Sequence, residues 1–195
     1  MSIFNFRKGT LHAEDVSLET VADEYGTPTF VYSTKAIKDA YRNFQNAFSG
    51  HDHLICYAVK ANSNLGVLSL FAQMGAGFDI VSGGELQRVL EAGGEPSKIV
   101  FSGVGKQEWE INLALEVGIH CFNLESVSEL RLLSTLATRA NKTAPISLRV
   151  NPDVDPKTHP YISTGLKENK FGVAIDDAVS IYQEADGLEG IEITG

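Results

Sequence analysis

Cysteine is nearly absent from this chain: Cys56 and Cys121 are the only two in 195 residues. Both sit in apolar, strand-like runs, which reads as buried free thiol in a reducing compartment and excludes a disulfide framework. No apolar run approaches the roughly 18 residues that a membrane span needs. Basic charge is not in excess either. The net charge is −9, which excludes a basic nucleic-acid footprint and makes an anionic membrane surface a poor partner. The opening stretch MSIFNFRKGTLHAED lacks the apolar core and small-residue cleavage site of a secretory signal, so a cytoplasmic protein is expected. Histidines are few, and His51-x-His53 has no further ligands in a zinc-like spacing, so no metal is expected. With 43% hydrophobic and 21% charged residues, the chain is neither disordered nor unusual for a globular protein. Its length allows one large domain or one and a fraction.

Period and punctuation then give a regular alternation. A short helix is expected at 17–25, with Ser17 as its cap and Gly26 as its stop. Strand 29–33 and helix 34–48 follow. After them come strand 54–60, a helix from about 64 to 74, strand 77–82, helix 84–92, strand 98–104, helix 106–116, strand 120–126, helix 127–140 and strand 145–152. A polar loop runs to about 172, followed by a helix at 175–185 and strand 188–194. Near-continuous apolar strands between helices indicate a parallel sheet buried on both faces.

Two architectures compete, a doubly wound open sheet and a (β/α)8 barrel. The open sheet predicts a glycine fingerprint, and none is present. Gly75-Ala76-Gly77 is followed by Ile80 where the third glycine belongs, and Gly103-Val104-Gly105 by Glu108. Gly105-Lys106 is half a P-loop, with Val100 and Gln107 in the wrong places. The barrel predicts chemistry at the C-terminal strand ends. Those ends carry Lys60, Asp79 with Ser82, Ser102, Asn123 with Glu125, and Arg149 with Asn151. The reading is therefore an α/β TIM barrel that reaches only about its sixth strand. Since a barrel typically needs about 250 residues, a fragment of a longer enzyme is expected. A terminal strand with a bare edge is also a poor end point.

Lys60 closes an apolar strand. If it points inward, so do Ala58 and Cys56 by period-two alternation, and these small residues leave space beside it. A confined lysine has a lowered pKa and becomes a nucleophile toward aldehydes. The plainer reading is a strand-end lysine that reaches solvent.

The surrounding residues favour the first reading. Tyr57-Ala58-Val59-Lys60-Ala61-Asn62 resembles the Y-A-x-K-A-N motif of the fold-type III pyridoxal-phosphate enzymes. These are alanine-racemase-like barrels that include the basic amino acid decarboxylases. The 77–86 segment GFDIVSGGEL and the 148–152 segment LRVNP resemble the decarboxylase side of the family. The stretch from Thr158 to Gly165, followed by Lys170-Phe171-Gly172, looks like the branch that acts on diaminopimelate.

The resemblance spans about residues 8–195. It implies pyridoxal 5'-phosphate held on Lys60, with Asp79, Glu85 and Arg149 lining the cofactor pocket. It also implies release of CO2 from meso-2,6-diaminopimelate to leave L-lysine, a small-molecule amino acid substrate, and a homodimer. Residues 153–169 would form a lid carrying His159, Tyr161, Ile162 and Ser163. Residues 1–33 would be a segment whose strand pairs with a further β-domain, and 34–195 a partial barrel. Related decarboxylases of ornithine, arginine or carboxynorspermidine, and a non-catalytic cofactor-binding protein, are the alternatives.

Bland readings stand beside these roles. Asp79 suits a solvated strand end, Glu85 suits a helix first turn, and Arg149 suits a structural ion pair.

Overall fold

The computed structural model describes residues 3–152, 154 and 171–195. Its backbone divides into two units, one ending at Ile55 and the other running from Cys56 to Gly195. The helix that follows residue 33 lies in the first of these units.

The first unit opens with a three-stranded antiparallel sheet that the hydrophobic period did not reveal. Its strands are β1 (Phe4–Arg7), β2 (Thr10–Ala13) and β3 (Val16–Ser17). Lys8 and Gly9 both have positive φ between the paired Arg7 and Thr10, the geometry of a tight two-residue hairpin. Helix α1 (Leu18–Tyr25) starts on Ser17, whose hydroxyl accepts from Thr20 N, as the sequence indicated. The expected strand at 29–33 is not formed. Phe30 is 87% exposed and Tyr32 55% exposed, and a strand without a ladder partner has nothing to hold it. Helix α2 (Thr34–Ala47) follows. Glu14 ties the hairpin to it, accepting from Ser33 Oγ at 2.6 Å and Lys35 N at 2.8 Å. Those two hydrogen bonds hold the Glu14 carboxyl below its ordinary value.

The second unit is built on six parallel strands. In chain order it runs β4 (Cys56–Ala58), α3 (Leu65–Gln73), β5 (Gly77–Ile80), α4 (Gly83–Glu91), β6 (Ile99–Phe101), α5 (Glu108–Val117), β7 (Cys121–Leu124), α6 (Val127–Arg139) and β8 (Ala144–Leu148). A two-residue β9 (Val150–Asn151) pairs in parallel with β10 (Val173–Ala174), and α7 (Ile175–Asp186) and β11 (Ile191–Ile193) complete the unit. The sheet order is β11-β8-β7-β6-β5-β4. Each strand lies beside the next in sequence and no order reversal occurs. A doubly wound sheet requires such a reversal, so the topology is that of a parallel barrel wall reaching its sixth strand. Among the described residues no helix is long and apolar enough to cross a membrane.

The strands are not buried on both faces. Phe78, Ile80, Ile99, Phe101, Phe122, Leu124, Ala144 and Ile146 are essentially inaccessible and meet the helices. The alternate positions are small or polar and mostly half-buried: Cys56, Ala58, Asp79, Val100, Asn123 and Ser147. One face is thus a packed hydrophobic core. The other is kept open by small side chains.

The strand-to-helix turns are laced by glutamates at the third position of successive helices. Glu85 Oε2 accepts from Val81 N (2.7 Å), Glu110 Oε2 from Gln107 N (2.8 Å), and Glu129 Oε2 from Glu125 N (3.0 Å). Ser82 and Ser126 cap α4 and α6 by accepting from the backbone N–H of Glu85 and Glu129. The second oxygens join neighbouring turns. Glu110 Oε1 accepts from Gly83 N at 2.6 Å, and Glu129 Oε1 from Lys106 Nζ at 2.5 Å. Lys106 also donates to Gly103 O and Asn123 O, both at 2.9 Å, and its side chain is 1% exposed. All three of its donors are used. The half P-loop of the sequence is therefore a buried strut.

Lys106→Ala leaves the nearly buried Glu129 carboxylate without its cation. It is expected to cost about 3–5 kcal/mol in chemical denaturation, and a Lys106→Met/Glu129→Gln pair is expected to recover part of that loss because no lone charge stays buried.

Candidate active site

Polar groups collect at the C-terminal ends of β4 to β8. The strand that should carry Lys60 is shorter than its apolar run suggests. β4 ends at Ala58, and Val59–Ala61 form a single 3-10 turn. Lys60 thus leaves the ladder, the period-two parity with Ala58 and Cys56 no longer applies to it, and it is exposed. Among the described residues its amine has no hydrogen-bond or ion-pair partner. It stands just past Ala58, whose register partner on β5 is Asp79. Tyr57 closes the turn from behind. Its hydroxyl donates to Asn62 O at 3.3 Å and its ring stacks on Phe71 with 4.1 Å between centroids. Arg88 Nη1 donates to Ser63 O at 3.2 Å just beyond.

Asp79 is half-buried and held from the side away from β4. Ser102 Oγ donates to Asp79 Oδ1 at 2.5 Å, and Asn123 Nδ2 donates to Ser102 Oγ at 2.9 Å. Toward β4, Asp79 acts on Cys56. Burial first, and then the Asp79 charge, push the Cys56 thiol up to about 11. Cys121 is also raised by burial, while Thr194 and Lys106 act the other way. Neither thiol is set up as a nucleophile at neutral pH.

Arg149 and Glu125 form the opposite end of the row. Arg149 Nη1 lies 2.9 Å from Glu125 Oε1, and the Glu125 side chain is 3% exposed. Glu125 Oε2 accepts from Gly172 N at 2.8 Å, and the guanidinium lies 4.8 Å from the Phe171 ring centroid. Gly172 has φ +76, and a Cβ there would come within 2.6 Å of Arg149 O. The Phe171-Gly172 half of the K-F-G segment is therefore shaped to seat on Arg149. The strand expected at 145–152 breaks at Arg149 into β8 and β9, which turns that residue out of the sheet core. A cleft of about 400 Å³ adjoins this end, lined in part by Val104, Lys106, Glu125, Ser126 and Glu129.

The site residues read from the sequence fall into three groups. Lys60 and Asp79 leave adjacent, paired strands at the same end. Arg149 stands at the β8 end, in the ion pair that the plainer reading gave it. Glu85 spends one carboxylate oxygen on the turn at Val81. His159, Tyr161, Ile162 and Ser163, with the whole lid stretch from 155, lie outside the described residues. Ser102 and Asn123 appeared in the sequence only as polar strand ends, and no site role followed from that. A repeat could have drawn attention to them: Asp79-x-x-Ser82-x-x-Glu85 recurs as Asn123-x-x-Ser126-x-x-Glu129.

The fold is a parallel barrel wall that brings a lysine, unengaged among the described residues, and a fixed carboxylate to neighbouring strand ends. The chain belongs to the family described as pyridoxal-dependent decarboxylase, pyridoxal binding domain, whose model matches residues 34–195. It is 57% identical over 195 residues to diaminopimelate decarboxylase of Pseudomonas aeruginosa and 60% identical over 196 residues to that of Pseudomonas fluorescens. Each match covers 100% of this chain and 47% of the relative. The crystal structure of diaminopimelate decarboxylase from Helicobacter pylori complexed with L-lysine superimposes with a TM-score of 0.88 at 48% identity, over 91% of this chain and 45% of that one. The chain spans about half the length of the curated relatives it matches.

Replacing Asp79 by Asn removes the smaller of the two causes that raise Cys56. The thiol then falls from about 11 but stays above its ordinary value. Iodoacetamide alkylation of Cys56 at pH 9 is expected to quicken about two- to threefold. Mass labelling over time measures it, with Cys121, which does not feel Asp79, as the internal reference.

Proposed function

We propose that the chain forms the cofactor-binding half of a decarboxylase that converts meso-2,6-diaminopimelate to L-lysine and CO2. The observation that carries the reading is Lys60, an amine with no partner among the described residues. It stands at a strand end beside a fixed carboxylate, in a chain matched over its whole length by relatives of that name. The residues fit pyridoxal 5'-phosphate. Lys60 offers a free amine for its aldehyde, and Asp79 presents one carboxylate oxygen, Oδ2, without a described partner. The small side chains of Cys56 and Ala58 leave room above the sheet. When bound, the cofactor supplies the electron sink for the carbon–carbon bond that breaks.

The protein's own residues have separate tasks. Lys60 would hold the cofactor through its amine. Asp79 sets the charge around the Lys60 nitrogen. Glu85, Glu110 and Glu129 hold the turns after β5, β6 and β7, and Arg149 with Glu125 fixes the far rim. The reading extends to lysine biosynthesis, a cytoplasmic location and a homodimer, supported by the family match and, for the location, by two unpaired cysteines. It takes residues 153–169 as the substrate lid and the remaining half of the relatives' length as the source of phosphate-binding groups. Diaminopimelate is favoured over ornithine or arginine as substrate because the relatives at 57% and 60% identity carry that name.

Borohydride reduction of the cofactor-loaded complete protein, followed by peptide mass mapping, is expected to place the pyridoxyl group on Lys60. A label on Lys106, whose three donors are already used, or on Lys35, which pairs with Asp39, would overturn the assignment. CO2 release from diaminopimelate, compared with ornithine and arginine, tests the substrate.

A further inference from the structure

Three strand ends are joined by hydrogen bonds whose direction is fixed. Asn123 Nδ2 donates to Ser102 Oγ, and Ser102 donates to Asp79 Oδ1. Asn123 Oδ1 lies 3.8 Å from the Cys121 thiol, a donor, so the amide has its nitrogen toward Ser102. Ser102 is anchored by its own backbone as well: its N–H donates to Ile80 O at 2.8 Å across to β5. A hydroxyl has one proton. Since the Asn123 amide donates to Ser102, the Ser102 proton is left for Asp79.

The repeated segments sharpen this. Asp79 and Asn123 occupy the same place in two copies of one strand-cap-helix unit, with β6 between them. The unit after β5 keeps a carboxylate and the unit after β7 has an amide. Two carboxylates flanking Ser102 would compete for its single proton and repel one another. The amide at 123 therefore lets the whole proton go to Asp79. Asp79 is held from the β6 side, and its charge is felt on the β4 side, at Cys56. β4 is the strand that delivers Lys60.

We propose that Ser102 and Asn123 are positioning residues that act through Asp79. They clamp Oδ1 so that Oδ2 faces the end of β4 and its charge reaches the Lys60 nitrogen. This rests on the reading of Lys60 as the cofactor's attachment point. In this proposal the effect of both residues passes through one carboxylate.

A double-mutant cycle on the complete protein tests this. The quantities are the pyridoxal phosphate dissociation constant, from absorbance titration, and the fraction of cofactor trapped on Lys60 by borohydride. Ser102→Ala and Asp79→Asn are each expected to weaken binding about tenfold, since each removes a hydrogen bond to a charged group or the charge itself. The double variant is expected to lie within about twofold of Asp79→Asn, because Ser102 has nothing left to orient. Ser102→Thr keeps the hydroxyl and is expected to restore binding, whereas Asn123→Asp is expected to match Ser102→Ala. Losses that multiply to about a hundredfold in the double variant would overturn the proposal, and so would a silent Ser102→Ala. If circular dichroism shows Ser102→Ala unfolded, Ser102→Thr and Asn123→Asp decide: a silent Asn123→Asp overturns it. A wild-type protein labelled on another lysine defeats the earlier reading and this proposal together. A labelled Lys60 with a silent Ser102→Ala defeats the proposal alone.

Discussion

The second unit depends on how each parallel strand turns into its helix. Every such turn exposes backbone N–H groups at the helix start, and burying them unpaired is costly. Here the third helical residue answers that need three times over, as Glu85, Glu110 and Glu129. Each carboxylate closes its own turn. Glu110 and Glu129 also reach the preceding turn, through Gly83 N and Lys106 Nζ. The C-terminal end of the sheet is thus a linked row of turns, not a set of independent loops.

That row explains why chemistry can stand where it does. A side chain that must meet a ligand needs a support that does not move when the ligand binds. Lys60 and Asp79 rise from adjacent strands whose neighbours are locked, and the open face below them is lined by small residues. The helix-facing side of the same strands is filled by phenylalanine, isoleucine and leucine. Strand alternation therefore separates two tasks: every second position of a strand builds the core while the positions between keep the site open.

The two lysines at strand ends show how little a residue type says without its surroundings. Lys106 is buried, with all its donors spent on two carbonyls and Glu129. Lys60 is exposed and unengaged among the described residues. Both follow apolar strands, but the sequence singled out only Lys60 for a special role. Burial with full hydrogen bonding makes the first a strut. Lack of a partner among the described residues makes the second the candidate for covalent chemistry.

Much of this was legible in the sequence. The helix cap at Ser17 is a local signal, because a cap and its partner lie three residues apart. The alternation of strands and helices is local too, and so is the motif around Lys60. The hairpin of β1 and β2 was missed because strands of four residues are too short to stand out, although Phe4-Asn5-Phe6-Arg7 alternates and the Lys8-Gly9 pair marked its turn. Residues 29–33 read as a strand because propensity is local, whereas a ladder needs a neighbour. What only the tertiary structure decided are the pairings between distant residues. Asp79 meets Ser102 across 23 positions and Ser102 meets Asn123 across 21, and Lys106 finds Glu129 across 23. Strand register sets these meetings. Register follows from packing the whole sheet against its helices, which no window of sequence contains.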